Sequence, residues 1–201
     1  MNATSAPRST IEGLSVSVVV YRPDMAKLQS TLASLGAACD ALIARRPGFP
    51  IALHLIDNGG LPDVSATLDA LRAHGVVCTI VAGHGNVGYG RGHNLAIERI
   101  SSRYHLVLNP DIELEHDALD HALDFFEAHP EAGLITPWIG DEQGDQQFLC
   151  RRYPTLLDLF ARGFLPAQLR RLFKRRLALY EMRDRINAHD VVWDPPIVSG
   201  C

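Results

Sequence analysis

Short apolar runs along the chain alternate with stretches whose apolar positions recur every three to four residues. Leu14–Tyr21 is rich in β-branched residues and predicts a first strand. Pro23 ends it, and Asp24 is placed to cap a helix in which Leu28, Leu32, Leu35, Cys39, Leu42 and Ile43 share one face. Ile51–Ile56 predicts a second strand, closed by Asp57-Asn58-Gly59-Gly60, and a helix follows with Val64, Leu68 and Leu71 along one side. Val76–Val81 predicts a third strand, Gly83 to Gly92 a glycine-rich loop, and Asn94 to Ser101 the start of another helix. Tyr104–Leu108 predicts a fourth strand that runs into Asn109-Pro110-Asp111. His116 to His129 reads as a helix stopped by Pro130, and Gly133–Thr136 as a fifth strand.

Strands alternating with helices predict an α/β fold, a mainly parallel sheet with helices on both faces. Ligands on such sheets bind beyond the carboxyl ends of the strands. Asp57, the loop from Gly83 to Asn94, and Asn109 to Asp111 all fall at those ends. Residues 1–13 read as a polar tail and residues 14–201 as one domain. Within it, residues 151–187 form a basic helical insert: Leu165, Leu169, Leu172, Phe173, Leu177 and Tyr180 are apolar, with Arg170, Arg171, Lys174, Arg175 and Arg176 between them. An extended stretch from Val191 to Val198 then leads to Ser199-Gly200-Cys201.

Composition narrows the class. The chain has 201 residues, 47% hydrophobic and 21% charged, the make-up of an ordinary globular domain able to bury a core. A net charge of −4 argues against nucleic acid as a partner. Cys39, Cys78, Cys150 and Cys201 are scattered, which fits neither a zinc site nor a dense disulfide framework and points to a reducing cytoplasm. The polar start is not a signal peptide, and no run is long and apolar enough to span a bilayer.

The chemistry lies in three clusters. Asp111 offers a hard carboxylate suited to Mg²⁺ or Mn²⁺, although Pro-Asp by itself is ordinary turn chemistry. The loop Gly83-His-Gly-Asn-Val-Gly-Tyr-Gly-Arg-Gly-His-Asn94 lets backbone N–H groups approach a phosphate, and its glycines are too many for a simple flexible turn. Gly83, Gly85 and Gly88 form a G-x-G-x-x-G, which raises an NAD-binding oxidoreductase as an alternative. That fingerprint belongs after the first strand, however, and here it follows the third. Asp57 can accept from a ribose or a base, or serve only its own Asx-turn. His84 and His93 read as polar loop groups, His54 and His105 as structural strand residues. The basic face at 170–176 is a solvated surface or, less commonly, a membrane contact.

In order and spacing, Ser17-Val-Val-Val-Tyr21, Ile56-Asp-Asn-Gly59, Asn86-Val-Gly-Tyr-Gly90 with Asn94, and Leu108-Asn-Pro-Asp111 resemble the family 2 glycosyltransferases. Arg151-Arg-Tyr-Pro-Thr155 and Tyr180-Glu-Met-Arg-Asp184 also have counterparts in its bacterial rhamnosyltransferase-like branch. The resemblance implies a GT-A (Rossmann-like) fold, a nucleoside diphosphate-sugar donor and a divalent metal, in bacterial surface-polysaccharide synthesis. It places Val20 and Tyr21 at the nucleobase, Asp57 at the base or ribose, Asn86, Gly88 and Gly90 near the nucleotide, and Asn94 in support of the loop. Asp111 matches the metal-binding last acid of the family's DxD-type motif, with Asn109 in place of the first. Arg22, Arg91 and His93 depart from the usual residues and bear on donor identity.

Inverting transfer needs a base to deprotonate the acceptor hydroxyl, saccharide or lipid-linked. In similar enzymes that base is an acid well downstream of a Ser-Gly-Ala or Ser-Gly-Cys segment, the point at which this sequence stops. The reading is therefore of a donor-binding part of a longer enzyme, with a non-catalytic nucleotide-binding module as the alternative.

Overall fold

The computed structural model describes residues 11–141, 143–155, 178–187 and 191–198, and the chain forms two compact units, Met1–Glu131 and Ala132–Cys201. In the first, β1 (Ile11–Val20), β2 (Ile51–Asp57), β3 (Val76–Val81) and β4 (Ser102–Leu108) form one sheet in the order β3-β2-β1-β4. All three pairings are parallel. The helices between and after them are α1 (Met25–Arg45), α2 (Ser65–Ala73), α3 (Tyr89–Ile97) and α4 (Ala118–Ala128). The expected α/β class, a mainly parallel sheet with helices on both faces, is what the chain adopts.

Side chains alternate across a strand, so β1 has two different sides. Leu14, Val16, Val18 and Val20 join Leu28, Leu32, Leu35 and Leu42 of α1, Leu68 and Leu71 of α2, and Leu119 and Leu123 of α4 in the main core. Asp24 starts α1 as expected, its carboxylate accepting from the N–H groups of Ala26 and Lys27. Arg46 ties α1 to α4 through Asp124 at 2.6 Å and Glu127. On the opposite side Val19, Ile56, Val81 and Ala96 make a smaller cluster under α3. There Gly92 is required by space: a Cβ would sit 2.9 Å from both methyls of Val19.

Three expectations change. Helix α3 begins at Tyr89, not Asn94, because Gly88 at φ 84° turns the chain into it and the close packing of Gly92 on β1 outweighs glycine's poor helix propensity. Gly133–Thr136 forms no strand, and Leu134 is 70% exposed: a four-residue run needs a neighbour to supply ladder partners. Of Val191–Val198, only Ile197–Val198 pairs.

In the second unit β5 (Ile139–Gly140) pairs antiparallel with β6 (Gln146–Gln147), and β7 (Cys150–Arg151) with β8 (Ile197–Val198). The Arg151–Thr155 and Tyr180–Asp184 segments are joined here: the Arg152 N–H donates to the Tyr180 carbonyl at 2.9 Å and its guanidinium meets Asp184 at 2.6 Å. The basic positions Arg170 to Arg176 and their apolar partners Leu165 to Leu177 lie outside the described residues. No helix among the described residues is long and apolar enough to cross a membrane.

Candidate functional site

Strand order reverses between β1 and β4, the position where open parallel sheets open a crevice at their carboxyl ends. Tyr21 follows β1 there and Asn109-Pro110-Asp111 follows β4. A groove of about 590 Å³, lined in part by Ile11, Phe49, His54 and Arg99, opens instead at the amino ends of the strands, and none of the expected site residues lines it.

Asn58, which the sequence reading passed over as part of a turn, joins the segments. Its backbone N–H donates to the Val20 carbonyl at 2.9 Å, while its side-chain amide donates to the Gly88 carbonyl at 3.2 Å. Its Oδ1 stands 3.0 Å from Nε2 of His84. With the amide nitrogen committed to a carbonyl, Oδ1 must accept, so His84 carries its proton on Nε2. The Arg22 N–H donates to the Gly59 carbonyl at 2.9 Å, making a second tie between the ends of β1 and β2. The one signal for Asn58 in the sequence was its place one residue beyond a strand, where parallel pairing of Val20 with Asp57 sets it against the end of β1.

Asp57 makes the Asx-turn that one of its two readings expects. Oδ1 accepts from the N–H groups of Gly59 (2.7 Å) and Leu61 (3.3 Å), an Asx-turn, and Oδ2 has no partner among the described residues. Asn86 likewise accepts the Gly88 N–H at 3.0 Å, which shapes the loop. Around Gly83, Gly85, Gly88 and Gly90 a Cβ would meet nothing, so the backbone there faces open space. Helix α3 has no side-chain cap, which leaves first-turn N–H groups such as that of Gly90 directed at whatever enters. The hydroxyl of Tyr89 donates to Oδ1 of Asn109 at 2.5 Å and so brings the glycine loop against the β4 end.

Asp111 is exposed, and among the described residues no three His, Cys, Asp or Glu side chains cluster as a metal cage. A divalent ion at Asp111 would draw its remaining oxygens from water and a phosphate ligand, the habit of Mg²⁺ and its like. Asn94 is exposed on α3. Tyr21 is 50% exposed, with the Arg22 guanidinium 5.3 Å from its ring centroid. Val20 must be corrected: its side chain is 1% exposed in the main core, because β1 alternates and position 20 falls on the helix-covered side. What Val20 offers the site is the carbonyl that anchors Asn58. His93 is corrected too: it lies buried in α3 rather than in an open loop. Cys39 is an inert core residue, burial pushing its thiol up to about 12.

The model of the family described as "Glycosyl transferase family 2" matches residues 15–180. The chain belongs to glycosyl transferase family 2. Three crystal structures of S. aureus TarS are similar to this family 2 chain. One of TarS has 17% identity over 59% of this chain and 20% of that one, with a TM-score of 0.45. TarS 1–349 in complex with UDP-GlcNAc has 18% identity over 59% and 32%, with a TM-score of 0.47. TarS 1–349 alone has 16% identity over 77% and 45%, with a TM-score of 0.48. The chain thus spans from a fifth to under a half of those chains' lengths. No curated protein matches it.

Proposed function

We propose that this family 2 chain binds a nucleoside diphosphate-sugar and presents it for inverting transfer to a saccharide or lipid-linked acceptor in bacterial surface-polysaccharide synthesis. A dTDP-deoxysugar, as in the rhamnosyltransferase-like branch, or a UDP-sugar is the donor. The observation that supports it is the hydrogen-bonded convergence of three segments on one sheet edge: Asn58 joins Val20 to Gly88, and Tyr89 joins α3 to Asn109. Tyr21 offers a face for the base, and the free Oδ2 of Asp57 accepts from the base or ribose. The N–H groups of the glycine loop and the start of α3 receive the diphosphate. Asp111 would hold Mg²⁺ or Mn²⁺, which when bound neutralises the diphosphate leaving group. The basic segment from Arg170 to Arg176 would meet an anionic membrane surface if the acceptor is lipid-linked.

Isothermal titration with dTDP, UDP, GDP and NAD, each with and without Mn²⁺, tests this. At least one nucleoside diphosphate should bind only with the metal, and Asp111→Ala should weaken it by about tenfold or more, the loss of a charge-assisted contact. Metal-independent NAD binding, or no nucleoside diphosphate binding at all, overturns the proposal.

A further inference from the structure

On the α3 side of the sheet, β1 and β4 carry a buried polar chain where the other side is mainly apolar. Nδ1 of His93 lies 2.7 Å from the Ser17 hydroxyl, and that hydroxyl 2.9 Å from Nε2 of His105. Nδ1 of His105 lies 2.7 Å from the Ser15 hydroxyl, itself 3.3 Å from the Tyr104 carbonyl. The Ser102 hydroxyl lies 2.7 Å from the Ser15 hydroxyl and 3.0 Å from the Tyr104 carbonyl, with one proton for the two. At the other end, His93 meets the Tyr89 ring edge to face, centroids 4.5 Å apart at 75°, and Tyr89 in turn holds Asn109.

Each hydroxyl has one proton, so the chain can run in either of two directions. In one, Ser102 donates to Ser15, which spends its own proton on the Tyr104 carbonyl and accepts from Nδ1–H of His105. A neutral His105 then has a bare Nε2, which accepts the proton of Ser17. Ser17, its proton spent, accepts from Nδ1–H of His93. Nε2 of His93 is left as a lone pair, buried and without a partner among the described residues. The opposite direction would bury an unpaired N–H there, a rarer state in folded proteins than an under-used acceptor.

We propose that His93 is a positioning residue of the donor site, held as its Nδ1–H tautomer by Ser17 and His105 and fixing Tyr89 against Asn109. The role rests on the donor-binding reading above. Its consequence is that the start of α3 and the β4 end keep one spacing before ligand arrives, so less ordering remains to be done on binding. His93→Phe keeps a ring beside Tyr89 but loses the bond to Ser17; Tyr89→Phe keeps the ring contact but loses the bond to Asn109.

Two measurements test the role. In long-range ¹H–¹⁵N spectra of the wild-type chain near pH 7, His93 and His105 should both appear as Nδ1–H tautomers, against the Nε2–H form inferred for His84. His93 appearing as Nε2–H overturns the proposal. By titration with the nucleoside diphosphate that the wild type binds with Mn²⁺, each Phe variant should raise Kd by about threefold to tenfold, the scale of one directed hydrogen bond. The double variant should be little worse than either single one, since both break one path. Unchanged Kd in folded variants, or fully additive losses, overturns the positioning role while leaving donor binding intact. A wild type that binds no nucleoside diphosphate overturns the donor reading and the role with it. Should His93→Phe fail to fold, Tyr89→Phe and the wild-type spectra still decide.

Discussion

The two sides of the central sheet are built from the same strands and held by different physics. Under α1, α2 and α4, Leu14, Val16, Val18, Leu53 and Leu55 meet leucines in a mainly aliphatic core, with Tyr104 and Phe126 at its margin. On the α3 side, the intervening residues of β1 are Ser15 and Ser17, which face His105 and His93. Hydrophobic contact is non-directional and contributes most of the stability; buried hydrogen bonds contribute less net free energy but accept only one geometry. The difference teaches that stability and placement are divided between the two sides. The side that carries α3, the helix proposed to face the donor, is the one held by directional bonds.

The sharpest way to break the comparison is to cut the aliphatic side. Leu53→Ala, at a fully buried position, should cost about 2–5 kcal/mol in urea denaturation, close to a large share of a domain's stability. A loss below 1 kcal/mol would deny that this side dominates. On the α3 side, Gly92→Ala forces a Cβ against the Val19 methyls and should cost about 1–3 kcal/mol. It should also weaken nucleotide binding as α3 lifts from β1, so stability lost with affinity unchanged would count against the placement role.

Acid separates the sides without mutation. Burial lowers the pKa of His93 and His105 to about 4, and burial with Arg99 nearby lowers that of His54. The unfolded chain takes up protons near its ordinary value of about 6.5 while the fold does not, so stability is complete above that value and is lost as pH falls towards about 4. Roughly 1–2 kcal/mol should go between those limits, less than the full shift implies because His105 stays partly hydrated. Denaturation midpoints compared at pH 7 and pH 5 should differ less in a His93→Phe, His105→Phe double variant than in the wild type. An equal pH dependence in both would show that these imidazoles are not held neutral by the fold. The smallest effect should come from Asp24→Ala: about 1 kcal/mol of stability, with nucleotide affinity unchanged, because that cap serves only α1 on the aliphatic side.

The placement of the candidate site residues at strand ends was legible in the sequence. Asp57, the glycine loop and Asn109 to Asp111 could be placed at strand ends because strand–helix alternation admits few sheet arrangements. The role of Asn58 was hidden, since an Asp-Asn-Gly-Gly turn looks the same whether its amide faces solvent or clasps a loop thirty residues away. Val20 was misread because a parallel strand buried on both sides has no polar alternation at its end to say which way the last residue points. His93 and His105 read as unrelated residues, being twelve positions apart on different elements; Ser17 brings them together.

By itself, then, the sequence determined the local pieces. The β-branched runs make strands, the leucine spacing makes α1, Asp24 starts it, and Val76–Val81 is a strand to its stated ends. These follow from backbone preference and periodicity, which act within a few residues. Tertiary structure alone decided that α3 starts inside the glycine loop, that residues 133–136 make no strand, and that two serines and two histidines form one hydrogen-bonded chain. Those outcomes depend on which distant groups arrive within 3 Å of one another, and the proton count of each hydroxyl acquires a direction only once its neighbours are in place.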